Sequence, residues 1–386
     1  MLALPLTALN VLNASPAQMG FLNAAQTLPF LLVALLAGAW IDRSRKRPIM
    51  LMADIGRALF LGLIPLGILL GLMRMEVLYV LVFLIGVMTV FFDVSYQAFL
   101  PALVQREHLV EGNSKMEISN SAAAFAGPGL AGWLIQLFSA PTAILLDAGS
   151  FLISALSLGW IRTQEPGRAP STVKPNIWAE IREGLGVIFG NRALWSIAGT
   201  TGTSNFFNSV WYSIFVLYMT RNLNLTPAQI GLIFAMGAPG SLAASLLAAP
   251  ISKRLGLGPA IIYPSLLVGL AQLLLFVAHG PDLLVVSLLA VLAFLTGFFN
   301  TIYNINQVSL RQTITPDRLL GRMNASMRFL VWGTIPLGAL ASSALSSLFG
   351  VVPTLIIGVL GGLLPWLWVY FSPVRQLVEQ PPPAEN

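Results

Sequence analysis

The chain contains a succession of apolar stretches, each about 20 residues long, separated by short segments that carry charge, proline or glycine. A stretch of this length can cross the hydrocarbon core of a bilayer as a helix. Charged residues make up only 9% of the chain, whereas a soluble domain contains about 25%. Because a segment that crosses lipid must satisfy its own backbone hydrogen bonds, the sequence predicts an all-α integral membrane bundle.

The apolar runs predict eleven full transmembrane helices. They cover residues 17–41, 49–72, 77–99, 115–139, 141–161, 193–220, 227–251, 259–279, 282–309, 320–349 and 351–372. An apolar stub before them, residues 1–12, is too short to cross a bilayer.

Basic residues are concentrated in alternate loops, which indicates how the chain is oriented. The loop after the first predicted span contains four of them, whereas the loops on the opposite side contain only Arg74 and Arg221. We therefore expect a multi-pass protein of the cell membrane whose linker and C-terminal tail are cytoplasmic. This topology accounts for the net charge of +6, so no nucleic-acid partner is expected.

Charge, proline and glycine divide the chain into four predicted segments. They are an N-terminal transmembrane half at 1–161, a cytoplasmic linker at 162–192, a C-terminal transmembrane half at 193–373 and a disordered tail at 374–386. Within the linker, Trp178, Ile181, Leu185 and Ile188 share one side of an amphipathic helix. Such a helix is typical of a segment that lies on a membrane surface.

The two halves repeat each other. The stretch Ser15–Gly20 matches Thr226–Gly231 at an offset of 211 residues, and Pro48 falls over Pro259 at the same offset. Parallel repeats are typical of secondary transporters. The repeat aligns residues 1–12 with the end of span 193–220, so we expect an incomplete first helix and twelve helices, six in each half, in the natural protein. The predicted span at 17–41 is therefore helix two, and the span at 351–372 is helix twelve.

The loop between helices two and three, GAWIDRSRKR at 38–47, resembles the G-x-x-x-D-R-x-G-R-K loop of the major facilitator superfamily. Arg45 replaces a glycine that the siderophore and macrolide exporter branch often lacks. The resemblance implies a gate in which Asp42 meets the positive N-terminal end of helix eleven, near Gly321 and Arg322. The matching residues are Gly38, Asp42, Arg43, Arg45, Lys46 and Arg47.

Two further segments resemble this branch. In helix five, AGPGLAG at 126–132 is similar to an antiporter motif, G-P-x-x-G-G, with Gly127, Pro128 and Gly132 in place. That motif implies export, although close helix packing through small residues is the alternative. Residues 310–325 look like the connection between helices ten and eleven, to which we assign a structural role.

Polar residues inside spans are costly and are therefore the candidates for solute binding. An amide-rich and aromatic cavity would suit a bulky, partly apolar solute, whereas hydrogen bonds between helices are the competing explanation. Arg328 needs a partner, which Asp93 or a substrate anion would supply. The candidates are Asn23 and Gln26 on helix two, Asn205, Asn208, Trp211 and Tyr212 on helix seven, Asn300, Tyr303, Asn304 and Gln307 on helix ten, and Arg328 on helix eleven.

Three carboxylates lie inside predicted spans and are candidates for proton coupling. Asp93 ranks first, because it lies on helix four, which lines the cavity in the superfamily. Asp147 lies on helix six, which is peripheral there. Asp54 has Arg57 one turn later, so we expect a structural ion pair.

These features predict a secondary active transporter that exports small amphipathic molecules, such as drugs, macrolides or siderophore-like compounds, in exchange for protons. A solute importer, a sodium-coupled carrier and a non-transporting sensor or binding protein remain alternatives. An intramembrane enzyme would need a paired nucleophile or metal ligands, and an ATP-driven pump a phosphate-binding loop, none of which is visible. With no cysteine and two distant histidines, we expect no metal and no cofactor, and the chain is expected to act as a monomer.

Overall fold

The computed structural model describes residues 2–41, 44–103, 109–161 and 177–379. These residues form helices joined by short turns, with no strand among them. The chain divides into two compact units, Met1–Lys174 and Pro175–Asn386. The prediction of an all-α membrane bundle is confirmed by this architecture.

Unit 1 contains seven helices in its described part. They are α1 (Ala3–Asn10), α2 (Pro16–Leu32), α3 (Ala34–Ile41), α4 (Lys46–Leu69), α5 (Met75–Leu103), α6 (Leu109–Leu137) and α7 (Ala140–Trp160). Helix α5 packs against α2, α3 and α4, and α4 also packs against α7. Buried apolar side chains of this unit form one cluster between α3, α4 and α5 and another between α4, α5 and α7.

Unit 2 contains the remaining helices, and several consecutive pairs of them are the two segments of one interrupted membrane-spanning helix. They are α8 (Ile177–Gly190), α9 (Arg192–Arg221), α10 (Pro227–Ala235), α11 (Gly237–Leu255), α12 (Leu257–Gln272), α13 (Leu274–Val277), α14 (Asp282–Thr313), α15 (Asp317–Trp332), α16 (Thr334–Phe349), α17 (Val351–Gly361) and α18 (Trp366–Tyr370), followed by a 3-10 turn at Pro373–Gln376. Helix α14 packs against α11 and α12, and α9 packs against α15, α16 and α17.

Among the residues that the structure describes, eight helical segments are long and apolar enough to cross a membrane. They are 46–69, 75–96, 140–160, 227–255, 257–277, 282–313, 319–349 and 351–370. Each overlaps one of the predicted spans. The other predicted spans fall on α2 with α3, on α6 and on α9, so the total of eleven stays a prediction.

The two repeats have the same hydrogen bonds at the start of α2 and at the start of α10. Ser15 and Gln18 form a capping box with hydrogen bonds of 3.2 and 2.8 Å, and Thr226 and Gln229 form the same box with bonds of 3.3 and 2.7 Å. This arrangement satisfies two free N–H groups at a helix start. The sequence match therefore reflects one local structure used twice.

The turns before these caps are the same as well. Asn13 has φ 51° and Asn224, at the same 211-residue offset, has φ 52°. Asparagine tolerates this left-handed conformation better than most residues. Packing follows the same plan, because α5 contacts α2 and α4 just as α14 contacts α10 and α12. The structure thus confirms a fold of two repeats.

The amphipathic helix predicted in the linker forms as α8. Ile188 on its apolar side is fully buried with Leu194, Met323 and Met327. At Gly184 the helix approaches α15 so closely that an added Cβ would overlap the Arg322 carbonyl. Part of the apolar side therefore packs on protein rather than on lipid, and the preceding linker residues lie outside the described part.

The described residues of the predicted tail, 374–379, are ordered. Val374 is buried, and the carbonyls of Leu377 and Val378 accept hydrogen bonds of 2.7 and 3.0 Å from the backbone N–H groups of Gly258 and Leu257. The first N–H groups of a helix have no partner within it. The tail segment supplies those partners to α12, which explains why it is ordered.

Close packing of α11 on α14 generates a stability prediction. An added Cβ at Gly240 would overlap the Phe294 carbonyl, whereas at Gly62 on α4 it would meet nothing within 4 Å. We expect Gly240→Ala to lose about 1–3 kcal/mol of stability through overpacking. Gly62→Ala should instead gain up to about 1 kcal/mol from helix propensity. Melting temperatures in detergent measure both, and equal changes would contradict the close approach.

Candidate functional site

A buried ion pair lies in the core of unit 1. Asp54 and Arg57, one turn apart on α4, form a salt bridge. Ser154 of α7 donates from Oγ to Asp54 Oδ2 over 2.7 Å. Asp54 is fully buried and Arg57 is 7% exposed. Both carboxylate oxygens of Asp54 therefore have partners, which is the condition under which a buried charge is tolerated.

Two aromatic rings enclose the Arg57 guanidinium. Its Cζ lies 4.1 Å from the ring centroid of Phe92 on α5 and 4.4 Å from that of Phe151 on α7. The faces of aromatic rings attract cations, most strongly where water is excluded. The ion pair, Ser154 and the two rings form a group that we call the Arg57 cluster. This cluster joins α4, α5 and α7.

All three carboxylates predicted for proton coupling act on Arg57. Asp54 contacts it directly, and Asp93 and Asp147 attract it electrostatically. Asp93 is half-buried and follows Phe92 in α5, whereas Asp147 is exposed and lies one turn before Phe151 in α7. Asp54 is thus the fully buried member of the three.

In unit 2, one face of α14 carries a hydrogen-bonded row of polar side chains. Gln307 donates to Asn304 Oδ1 and accepts from Arg311, each over 3.2 Å. Arg311 also donates to Asn324 Oδ1 of α15 over 2.9 Å. Asn300 lies on the same face, two turns before Gln307. The structure therefore brings the predicted stripe of helix ten together and connects it to α15.

Two other predicted residues form hydrogen bonds between helices. The hydroxyl of Tyr303 on α14 lies 2.8 Å from that of Thr201 on α9, and Asn205 of α9 donates to the Val331 carbonyl of α15 over 2.7 Å. Tyr303 is 6% exposed. These contacts hold α9 to its neighbours, which favours the packing role for both side chains.

Three predicted amides differ from this group. Asn208 on α9, Asn300 on α14 and Gln26 on α2 are half-buried, and their side chains form no hydrogen bond with any described residue. Asn23, one turn before Gln26, does have an interaction partner. The amide groups of these three side chains therefore have hydrogen-bonding capacity that no described residue uses.

The adjacent aromatic residues of α9 point in different directions. Trp211 is 5% exposed and packs against the backbone of α17 at Gly358 and edge-on to Phe215, with ring centroids 4.9 Å apart. Tyr212 is 47% exposed and lies 5.9 Å from Phe234 of α10. Only Tyr212 is therefore available on the surface of unit 2.

Arg328 on α15 has an aromatic partner. Its Cζ lies 4.1 Å over the ring of Trp332, one turn later on the same helix. Cation–π attraction of this kind stabilises a guanidinium away from water. The sequence analysis expected Asp93 or a substrate anion as the partner of Arg328. In the structure, Trp332 is one of its partners.

A family model described as the Major Facilitator Superfamily matches residues 1–216 and again residues 200–386. The chain belongs to this superfamily. It is accordingly a multi-pass membrane transporter of small molecules rather than an enzyme. The two matches also agree with the two repeats seen in the fold.

Relatives within the superfamily include named efflux proteins. The multidrug efflux pump Tap of Mycolicibacterium fortuitum is 28% identical over 378 residues, covering 92% of this chain and 89% of the pump. Macrolide efflux protein A of Streptococcus pyogenes is 22% identical over 220 residues, covering 57% of this chain and 54% of that protein. The crystal structure of a bacterial homologue of the iron transporter ferroportin, inward-facing, has a TM-score of 0.71 at 18% identity and covers 95% of this chain and 93% of that one.

The superfamily loop leads from α3 into α4. Gly38 lies on α3 and Arg45 is exposed just before α4, while Asp42 and Arg43 lie outside the described residues. Arg322, near which the partner of Asp42 was expected, forms an ion pair with Glu183 of α8. The gate between Asp42 and helix eleven therefore stays a prediction.

The last two basic residues of this loop act on backbone carbonyls in unit 1. Lys46 donates to the Ser44 carbonyl over 2.9 Å. Arg47 donates to the carbonyls of Leu158 and Gly159 over 2.8 and 2.5 Å. These carbonyls lie at the C-terminal end of α7, where a cation is favourable. Arg47 thus ties the loop to α7.

The antiporter-like motif lies in the middle of α6. Pro128 interrupts the backbone hydrogen bonding of the helix. Gly132 is buried, but Gly127 is exposed within unit 1, and an added Cβ there would meet nothing within 4 Å. Packing inside unit 1 can explain the glycine at 132 and does not explain the one at 127.

Sequence reasoning found Asp54 with Arg57 but missed the partners from other helices. Ser154 and Phe151 lie about a hundred residues away in the chain, and no local pattern connects them to α4. Arg311 carried a usable signal, because it lies eleven residues after Asn300, three helical turns along the same face. That spacing identifies it as a member of the polar row.

Breaking the ion pair should destabilise unit 1 strongly. Asp54→Ala leaves the Arg57 charge buried without its direct partner, which should cost about 3–5 kcal/mol. Asp147→Ala is the matched control, because that carboxylate is exposed and its loss should change stability by less than about 1 kcal/mol. Thermal unfolding followed by tryptophan fluorescence in detergent measures both. Similar losses in the two variants would contradict the role given to the pair.

Proposed function

We propose that this transporter exports small amphipathic molecules, such as drugs, macrolides or siderophore-like compounds, in exchange for protons. The observation that carries the proposal is a division of polar chemistry between the units. The spans of unit 1 contain Asp54, Asp93 and Asp147, whereas the predicted spans of unit 2 contain one carboxylate, Asp282, at the first position of α14. The carboxylates inside spans are therefore concentrated in unit 1, whereas the polar row of α14 in unit 2 consists of amides and an arginine.

Asp93 is the group that we assign to proton exchange. Coupling needs a carboxylate that gains and loses a proton during the cycle. Asp93 is half-buried near the C-terminal end of its span and lies beside Phe92, which packs on Arg57. Asp54 is held on both oxygens. Because a group without solvent access exchanges protons slowly, Asp93 fits the role better.

Solute binding is assigned to two amides that have no hydrogen-bond partner among the described residues and to the exposed aromatic residue. Asn208 and Asn300 offer donors and acceptors without net charge, and Tyr212 offers an exposed ring. Such a surface selects for size and apolar area rather than for one charge. Likeness to proteins named for multidrug and macrolide efflux supports export of such solutes.

The setting follows from the same features. We place the chain in the cell membrane as a monomer, with the basic loops and the C-terminal tail in the cytoplasm. Protons are the coupling ion, and alternating access of the solute to the two sides is the mode of transport. The gate at Asp42 and the glycines of α6 are assigned to that conformational cycle.

Proton exchange is tested in proteoliposomes that enclose a pH-sensitive dye. Addition of the dye ethidium, the macrolide erythromycin or a catecholate siderophore should drive proton movement in wild type, and Asp93→Asn should abolish it. Glu76→Gln, on the first turn of the same helix, is the matched control and should retain it. Movement retained in Asp93→Asn would move the assignment to another carboxylate, and movement that requires a sodium gradient would contradict proton coupling.

Solute binding is tested by comparing amides in unit 2. Asn208→Ala and Asn300→Ala should raise the KM for the transported compound up to about tenfold, the value of one hydrogen bond. Asn306→Ala is the control, because Asn306 is already bonded to Ser252 and to the Ile302 carbonyl. It should lower stability and leave KM unchanged. A KM that rises only in Asn306→Ala would contradict the assignment.

A further inference from the structure

We propose that Arg311 binds an acidic group on the transported solute, so that the protein recognises amphipathic compounds that carry a carboxylate. The proposal deepens the proposed function and rests on it, because it names a chemical class of solute that the polar row of α14 accepts. The evidence is a guanidinium inside a predicted span whose partners among the described residues are neutral.

Arg311 is held by amides rather than by a carboxylate. It donates from Nη1 to Gln307 Oε1 over 3.2 Å and from Nη2 to Asn324 Oδ1 over 2.9 Å. Because the first contact comes from α14 and the second from α15, the guanidinium is fixed between two helices. An amide oxygen accepts a hydrogen bond without carrying a net negative charge. The positive charge of Arg311 is therefore oriented but not neutralised by these contacts.

The carboxylates of unit 2 lie elsewhere or are already paired. Asp282 is at the opposite end of α14, Glu183 of α8 is paired with another arginine, and Glu379 is exposed in the tail. The side chain of Asp317 lies outside the described part of the chain. No described carboxylate of unit 2 forms an ion pair or a hydrogen bond with Arg311.

The ion pair of unit 1 shows what a structural arginine in a span receives. In the Arg57 cluster, Asp54 provides a full negative charge in direct contact. At the 211-residue offset Arg311 corresponds to Leu100, so the shared scaffold does not require a cation at this position. An arginine inside a span is unfavourable unless other groups compensate it. A solute anion would provide that compensation for Arg311.

The guanidinium keeps donors that a solute can use. Arginine has five N–H groups in a planar fork, and the two described hydrogen bonds of Arg311 use one on each terminal nitrogen. Its Nε is shielded from solvent and has no hydrogen-bond partner among the described residues. One N–H group therefore remains on each of Nη1 and Nη2. Such paired donors suit the two oxygens of a carboxylate.

The rest of the polar row suits the neutral part of such a solute. Asn304 is exposed on unit 2 and Asn300 is half-buried, and the row from Asn300 to Arg311 extends about 16 Å along α14. Polar side chains in a span face protein or water rather than lipid. On α15, Arg328 lies one turn after Asn324 and adds a second positive charge on the same side of that helix. The row can thus hold an acidic group at one end and a neutral body along its length.

The experiment is equilibrium binding of dansylglycine and of its neutral amide, dansylglycinamide, to the full chain in phosphatidylcholine nanodiscs, followed by dansyl fluorescence. The two probes differ only in the acidic group. Wild type should bind dansylglycine more tightly than the amide. Arg311→Gln should weaken binding of dansylglycine about tenfold, the value of one hydrogen bond to a charged group, and leave binding of the amide within about twofold.

Arg254→Gln is the matched control. Arg254 is exposed at the end of α11, so this variant removes the same charge from unit 2 outside the polar row and should keep the preference for dansylglycine. A preference that is lost equally in Arg254→Gln would reflect net charge and overturn the proposal. Equal weakening of both probes in Arg311→Gln, or no weakening of either, would also overturn it.

Wild type alone keeps the proposal testable if Arg311→Gln does not fold. Equal affinity of wild type for the two probes would overturn the proposal without any variant. A preference that disappears when the nanodiscs contain phosphatidylglycerol would assign the anion to a lipid headgroup and overturn the solute as its source. A preference that persists with either lipid supports the solute.

The binding measurement uses no proton gradient, which separates this proposal from the proposed function. A chain that shows the expected preference but moves no protons with any compound in proteoliposomes would contradict the proposed function and support the role of Arg311. Proton-coupled transport by a chain that binds the two probes equally would do the reverse.

Discussion

The burial of charge inside a membrane-spanning bundle is the constraint on which the arrangement of unit 1 depends. An arginine in a span is unfavourable unless other groups compensate it. Asp54, Ser154, Phe92 and Phe151 together provide that compensation for Arg57, and they come from α4, α5 and α7. The contacts that pack these three helices together are therefore the same contacts that stabilise the buried charge. Loss of any partner affects both.

The second repeat shows that this solution is not required by the fold. At the 211-residue offset, Asp54 and Arg57 correspond to Ser265 and Val268, while the turn before α10 and the packing of α14 match unit 1 closely. Two copies of one scaffold thus carry different chemistry. The buried Asp–Arg pair belongs to the first copy, and the polar row of amides on α14 belongs to the second.

Much of the fold could be predicted from the sequence because its signals are local. The span lengths, the repeat at Ser15 and Thr226, and the polar stripe of α14 all depend on residues within a few turns of one another. Helical periodicity reports which residues share a face. It does not report which helix that face meets, so Ser154 and Phe151 could not be assigned to Arg57 in advance.

The same limit applies to the candidate site. Asn205 and Asn208 lie three residues apart on α9, and their sequence signals are equivalent. The structure separates them, because Asn205 is bonded to the Val331 carbonyl and Asn208 has no hydrogen-bond partner in the described part of the chain. Whether such an amide bonds to a neighbouring helix depends on tertiary contacts, and helical periodicity does not predict those contacts.

In the proposed mechanism, proton exchange in unit 1 and solute recognition in unit 2 are carried by separate residues. Its most direct test is the number of protons released for each molecule of ethidium bound by the purified protein in weakly buffered detergent solution. The account predicts that Asp93→Asn abolishes the release, while Asn208→Ala weakens ethidium binding and leaves the protons released per bound molecule unchanged. Proton release that persists in Asp93→Asn, or that falls in Asn208→Ala at full occupancy, would contradict it.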